Sequence, residues 1–147
     1  EEIDSPETLN DRVLCSVTGT TSAAYVTERF KGKIDLKEYP RFSDCVAALA
    51  SSEVDAVTTD EAILAGYSNQ AAYKGKFKLV GDTFSTEKNG VGLKKGDKDT
   101  CTKVNDAIKQ MVSDGSWEKA LKENLGADYK YNTSANPPKD ADLETCA

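Results

Sequence analysis

Apolar residues in the first eighty positions follow two alternating patterns. Four short segments, each of a length typical of strands, predict strands at 12–16, 35–39, 54–59 and 77–80. Three intervening segments carry apolar residues every three to four positions and predict helices at 23–30, 44–51 and 61–67. Strands that alternate with helices predict an α/β fold, a mostly parallel sheet with helices on both faces.

The pattern changes after Gly81. Residues 82–89 are polar and predict a connector, and residues 91–93 predict a brief strand. Two helices are expected next, one over 100–114 and one from Ser116 to about Leu125. The pattern therefore predicts an α/β part, then two helices, and then an extended polar tail at 127–147.

Composition removes several classes of function. The chain has 147 residues, a net charge of −6 and no histidine, so the commonest general base and metal ligand is absent. The sequence shows no metal-binding pattern and implies no cofactor. Acidic residues are scattered and no basic stripe is present, which argues against nucleic-acid binding. No apolar run is long enough to span a membrane, and a start other than Met suggests a mature or excised piece.

The four cysteines are the main indication of the redox environment of the chain. Their even number and wide spacing are typical of two disulfides in an oxidising compartment. Of the three possible pairings we favour Cys15–Cys45 and Cys101–Cys146, which would tie a strand to a helix and hold the tail. Four buried free thiols are the alternative, since cysteine is also a common core residue.

Polar residues follow two of the predicted strands, where α/β proteins bind ligands. The turn from Gly19 to Ser22 precedes a helix, whose free N–H groups attract an anion such as a carboxylate. Asp60 ends the strand at 54–59 and could receive an ammonium group. Together the two positions suit an α-amino acid, but each could equally be a simple helix cap, with Ser22 and Asp60 as the capping residues.

Six motifs in order resemble the polar amino-acid-binding proteins of bacterial ABC importers (family 3 extracellular solute-binding proteins). They are LNDRV at 9–13, VTGTTS at 17–22, EVDAVTTD at 53–60, NGVGLKKGD at 89–97, VNDAI at 104–108 and DGSW at 114–117. Within that family the chain resembles glutamate-type binding lipoproteins of Gram-positive actinobacteria, whose second lobe also carries cysteines where Cys15 and Cys45 stand.

The resemblance assigns roles to a small set of residues. The turn at Gly19 would bind the α-carboxylate of the ligand through Thr20 and the backbone N–H of Thr21, and Asp60 would bind its α-ammonium group. Thr59 would line the pocket. Val17 stands where the family often places a residue that reads the ligand side chain, so the identity of the ligand is open.

The family implies a periplasmic-binding-protein type II fold, two lobes that close on a ligand. The resemblance implies three parts of this chain: the second lobe at 1–83, a returning hinge strand with C-terminal helices of the first lobe at 84–126, and a tail at 127–147 that a disulfide would hold. The implied function is extracytoplasmic binding of a glutamate-like or glutamine-like amino acid, secreted or lipid-anchored, for delivery to a permease. The alternatives are an amino-acid sensor or co-receptor and, less favoured, a dehydratase-like enzyme. Apolar faces left without the first lobe would favour a homodimer of the chain.

Overall fold

The computed structural model describes residues 2–81, 83 and 85–146, and divides the chain into two compact units, Glu1–Glu87 and Lys88–Ala147. In the first unit, a single-turn 3-10 helix at Pro6–Leu9 leads into a three-stranded parallel sheet. The strands are β1 (Val13–Val17), β2 (Asp35–Tyr39) and β3 (Ala56–Val57), in the spatial order β2-β1-β3.

Three helices complete the first unit: α1 (Thr21–Arg29), α2 (Phe42–Ala50) and α3 (Glu61–Asn69). Side chains alternate along β1, so Leu14 and Cys15 point to opposite faces of the sheet. Leu14 packs with Val26 and Phe30 of the α1 side, whereas Cys15 packs with Cys45 of α2. The sheet therefore has a helix on each face, as the sequence predicts.

The ends of β1 and β3 are joined by side-chain hydrogen bonds as well as by the backbone hydrogen bonds of the sheet. At the amino end, the Asp55 carboxylate accepts the Val13 N–H at 2.8 Å. Near the carboxyl end, the buried Ser16 hydroxyl donates to the Thr58 carbonyl at 3.1 Å. These two bonds fix the register that sets the ends of both strands side by side.

The second unit consists of two helices and a tail. Helix α4 (Lys98–Ser113) and helix α5 (Ser116–Leu125) are joined by Asp114 and Gly115, and a single 3-10 turn follows at Asp140–Asp142. Gly115 has a φ of +78°, a left-handed conformation that glycine adopts without strain. The Asn105 amide donates to the Glu144 carbonyl at 3.0 Å and so joins the tail to α4.

Both predicted disulfides are present, and each spans Cα atoms 5.7 Å apart. Cys15–Cys45 is fully buried between β1 and α2, while Cys101–Cys146 connects α4 to the tail and is partly exposed. No described helix is long and apolar enough to cross a membrane.

Two predicted strands are wrong. Residues 77–80 and 91–93 form no strand, and Leu79, Val80, Val91 and Leu93 are exposed. Each run has the apolar composition of a strand, but among the described residues neither has a neighbouring strand to complete its hydrogen bonds. A strand without a partner is not stable.

Candidate functional site

The site begins with the turn that ends β1. The Thr20 N–H and the Thr20 hydroxyl both bond to the Val17 carbonyl, at 3.2 and 2.8 Å, and close a tight turn. Gly19 within it has a φ of +78°, which explains why glycine stands there. Thr18 continues the sheet by donating its N–H to the Tyr39 carbonyl at 3.1 Å.

Thr20 caps helix α1, and Ser22 does not. The Thr20 hydroxyl oxygen accepts the Ala23 N–H at 3.2 Å, so the alternative that Ser22 caps this helix is wrong. The N–H groups of Thr21 and Ser22 lie in the first turn and bond to no other described residue. Two N–H donors at the positive end of a helix are therefore open to a bound anion.

Asp60 occupies the N-cap position of helix α3 without capping it. Its backbone carbonyl accepts the N–H groups of Ile63 and Leu64, at 3.0 and 3.1 Å, but its carboxylate makes no capping bond. Within the described part of the chain the carboxylate has no hydrogen-bond or ion-pair partner, although the residue is half-buried. The simple-cap interpretation of Asp60 is therefore not supported by the geometry.

The sheet register brings the two sites to adjacent strand ends. Cys15 of β1 pairs with Val57 of β3, so two residues further along Val17 and Thr59 stand at neighbouring positions. Adjacent strands lie about 4.8 Å apart, a separation that a small zwitterion can bridge. Sequence reasoning missed Ser16 and Asp55, whose bonds hold this register; a lone serine inside an apolar strand was the only signal for the first.

A groove of about 610 Å³ lies beside α1 and shares only Gly19 and Thr20 with this site. Its other walls include Glu28, Lys31 and Glu38. Because it does not include Asp60, we place the candidate site at the strand ends, where an anion site and a carboxylate lie on adjacent strands. No cluster of metal-binding side chains is found among the described residues.

Known proteins resemble this chain in sequence. The chain is 42% identical over 137 residues to the glutamate-binding protein GluB of Corynebacterium glutamicum, covering 87% of this chain and 45% of the relative. It is 31% identical to the ABC transporter glutamine-binding protein GlnH of Bacillus subtilis, covering 74% and 38%. The chain is similar to about half of a bacterial amino-acid-binding protein. The resemblance drawn from the six motifs is thus confirmed.

Solved structures support the same fold. An ancestral arginine-binding protein bound to arginine matches with a TM-score of 0.65 and 32% identity, over 85% of this chain and 55% of that one. The GluR0 ligand-binding core from Nostoc punctiforme in complex with L-glutamate matches with a TM-score of 0.66 and 26% identity, over 85% and 56%. These names describe binding and not catalysis, in line with the expectation of a non-enzyme. No protein-family model matches the chain.

Proposed function

We propose that this chain is the second lobe, with part of the first, of an extracytoplasmic solute-binding protein that delivers a polar, glutamate-like or glutamine-like amino acid to an ABC permease. The chain spans about half the length of the curated relatives it matches. The proposed organisation is lobe II at 1–83, the returning segment at 84–126 and the tail at 127–147. The division of the structure after Glu87 supports the first boundary.

The proposal rests on one observation: among the described residues, backbone N–H donors and a carboxylate, each without a hydrogen-bond partner, lie at the ends of adjacent strands. The N–H groups of Thr21 and Ser22 suit the α-carboxylate, and the carboxylate of Asp60 suits the α-ammonium group. The Thr20 hydroxyl is already used within its turn, so Thr20 would act mainly by holding that turn in place. Thr59 and Val17 would line the pocket between the two groups.

The test is an NMR titration of the chain with L-glutamate and L-glutamine. We expect shifts at Thr21, Ser22 and Asp60, with Kd of about 1 mM or weaker, since the chain tested spans about half of the relatives' length. N-acetyl-glutamate, which lacks the ammonium group, should give much smaller shifts.

Asp60→Asn should weaken binding at least about tenfold, because the ammonium group loses its charged partner. Glu61→Gln is the matched control, since Glu61 is also a half-buried carboxylate at the start of α3. It should stay within about threefold of the parent chain. No shift at either strand end up to the ligand's solubility limit, or equal losses in both variants, would contradict the proposal.

We further propose that the isolated chain associates weakly with itself through the second unit. Val91 is 63% exposed, Leu93 40% and Met111 38%. Exposed apolar surface of this kind favours association in water. Light scattering over a concentration series should show a mass rising towards the dimer; a constant monomer mass that does not change with concentration would reject it.

A further inference from the structure

The sequence contains two places where an Asn or Asp precedes a glycine: Asn89-Gly90 and Asp114-Gly115. This pairing matters chemically, because glycine has no Cβ to hinder its own backbone nitrogen. That nitrogen can attack the side-chain carbonyl carbon of the residue before it. Whether the reaction proceeds depends on the freedom of the backbone, and the structure gives the two pairs very different surroundings.

Asn89-Gly90 is unconstrained. Both residues are exposed and lie outside every helix and strand, near the start of the second unit. Within the described part of the chain, neither the Gly90 N–H nor the Asn89 amide has a hydrogen-bond partner. A Cβ added at Gly90 would meet no atom within 4 Å, so the space around Gly90 is open.

Asp114-Gly115 is held in place. The Asp114 carboxylate accepts the Ser116 N–H at 2.9 Å, and the Asp114 N–H donates to the Gln110 carbonyl at 2.9 Å. The Gly115 carbonyl accepts the Lys119 N–H at 3.1 Å. With bonds on both sides, this pair keeps its side-chain carbon away from the attacking nitrogen.

We propose that Asn89 is a site of spontaneous modification, deamidation through a cyclic imide. The Gly90 nitrogen loses its proton and bonds to the side-chain carbonyl carbon of Asn89, the bond from that carbon to the amide nitrogen breaks, and the amide nitrogen takes up a proton and leaves as ammonia. Water then opens the imide at one of its two carbonyls. The products are aspartate, or isoaspartate with the backbone rerouted through the side chain, and each adds a negative charge to a chain that already carries −6.

The proposal does not depend on amino-acid binding. Its consequence is a slow change of the backbone near the start of the second unit that accumulates with the age of the protein. The isoaspartate product lengthens the backbone there by one carbon. The other six asparagines precede residues with side chains or, at Asn136, a proline without an N–H, so they serve as internal references.

The experiment is peptide mapping by mass spectrometry of the folded chain aged in water enriched in heavy oxygen. We expect label at Asn89 to appear on the order of tenfold faster than at Asn132, which is exposed in a turn but precedes Thr133. Gly90→Ala should slow the reaction on the order of tenfold without affecting the fold, since the added Cβ has open space. Equal rates at Asn89 and Asn132 would overturn the proposal.

A denatured control separates local freedom from intrinsic reactivity. In urea the Asn89 rate should change by less than about threefold, because the segment is already open, while isomerisation at Asp114 should accelerate by more than about tenfold. A native Asn89 rate suppressed more than about tenfold relative to urea would show that the segment is protected, and the proposal would be wrong.

Discussion

The two units of this chain are held together by different means. Every described residue that is buried lies in the first unit, between Leu9 and Ala65. In the second unit neither α4 nor α5 has a buried residue. There the helices are supported by exposed ion pairs such as Lys122–Glu118, a Trp117–Tyr131 edge-to-face contact, and the disulfide to the tail.

This difference shows what a parallel sheet contributes. Helices on both sides of β1 give the first unit a core on each face, and that core can hold a site in fixed geometry. Two helices with a polar tail offer less apolar area, and isolated helices of this length are marginal in water. A covalent bond that limits the unfolded chain is therefore more important, in proportion, to the second unit.

The largest expected effect comes from removing the buried disulfide. Cys15→Ala with Cys45→Ala opens a loop with a sequence separation of 30 and should lower the free energy of unfolding of the first unit by about 4 kcal/mol. The measurement is urea denaturation followed by NMR signals of the sheet.

The matched control is Cys101→Ala with Cys146→Ala. Although its loop is longer, with a separation of 45, it should change the unfolding of the first unit by less than about 0.5 kcal/mol and instead increase amide exchange in the tail. Similar losses in the first unit for both double variants would refute the idea that the units are stabilised separately.

A matched pair of leucines tests the packing itself. Leu14 is 1% exposed, so Leu14→Ala should cost about 3 kcal/mol, whereas Leu121→Ala on the half-buried face of α5 should cost about 1 kcal/mol. Thermal and urea unfolding provide the measurement. If Leu121→Ala costs as much as Leu14→Ala, the second unit has a tighter core than its exposure indicates.

The smallest effect concerns the cap of α4. The Asp97 carboxylate accepts the Thr100 N–H at 3.0 Å and the Thr100 hydroxyl at 2.8 Å, and these bonds hold the pKa of Asp97 below its usual 3.8. A lowered pKa in the folded state stabilises the fold above pH 3.8 and stops doing so as the pH falls through the folded value.

Asp97→Asn should therefore reduce the helicity of the second unit slightly at neutral pH. The difference from the parent chain should shrink in acid, as measured by circular dichroism across a pH series. An unchanged difference at all pH values would mean that the charge of Asp97 does not contribute.

Sequence patterns were most reliable where local and tertiary signals agree. The strand at 35–39 is observed with the same bounds, and α3 starts at Glu61 as expected. The helix predicted at 44–51 starts earlier than expected: α2 begins at Phe42, with Arg41 in the N-cap position and no side-chain cap. Spacing shows where a helix lies, but its first turn depends on how the chain leaves the preceding strand.

The candidate site was only partly readable from sequence. Their positions directly after predicted strands identified Thr20 and Asp60 as candidates, but either residue could have been a helix cap. Only the geometry shows that Thr20 is a cap and that Asp60 is not. The strands predicted at 77–80 and 91–93 failed for a different reason. Their composition is right, and what they lack is a neighbouring strand, which no local pattern can report.

The two disulfides also decide how the chain responds to mechanical force. Pulling on the backbone on either side of Cys15–Cys45 and Cys101–Cys146 cannot extend the residues enclosed between each pair. At about 3.4 Å per residue, the first bond keeps about 100 Å of contour length from extending, and the second keeps about 150 Å. In a single-molecule stretching experiment, roughly half of the polypeptide would therefore bear no force and would not extend until a reductant is added. The extension would then lengthen in two steps, the first from the partly exposed Cys101–Cys146 bond.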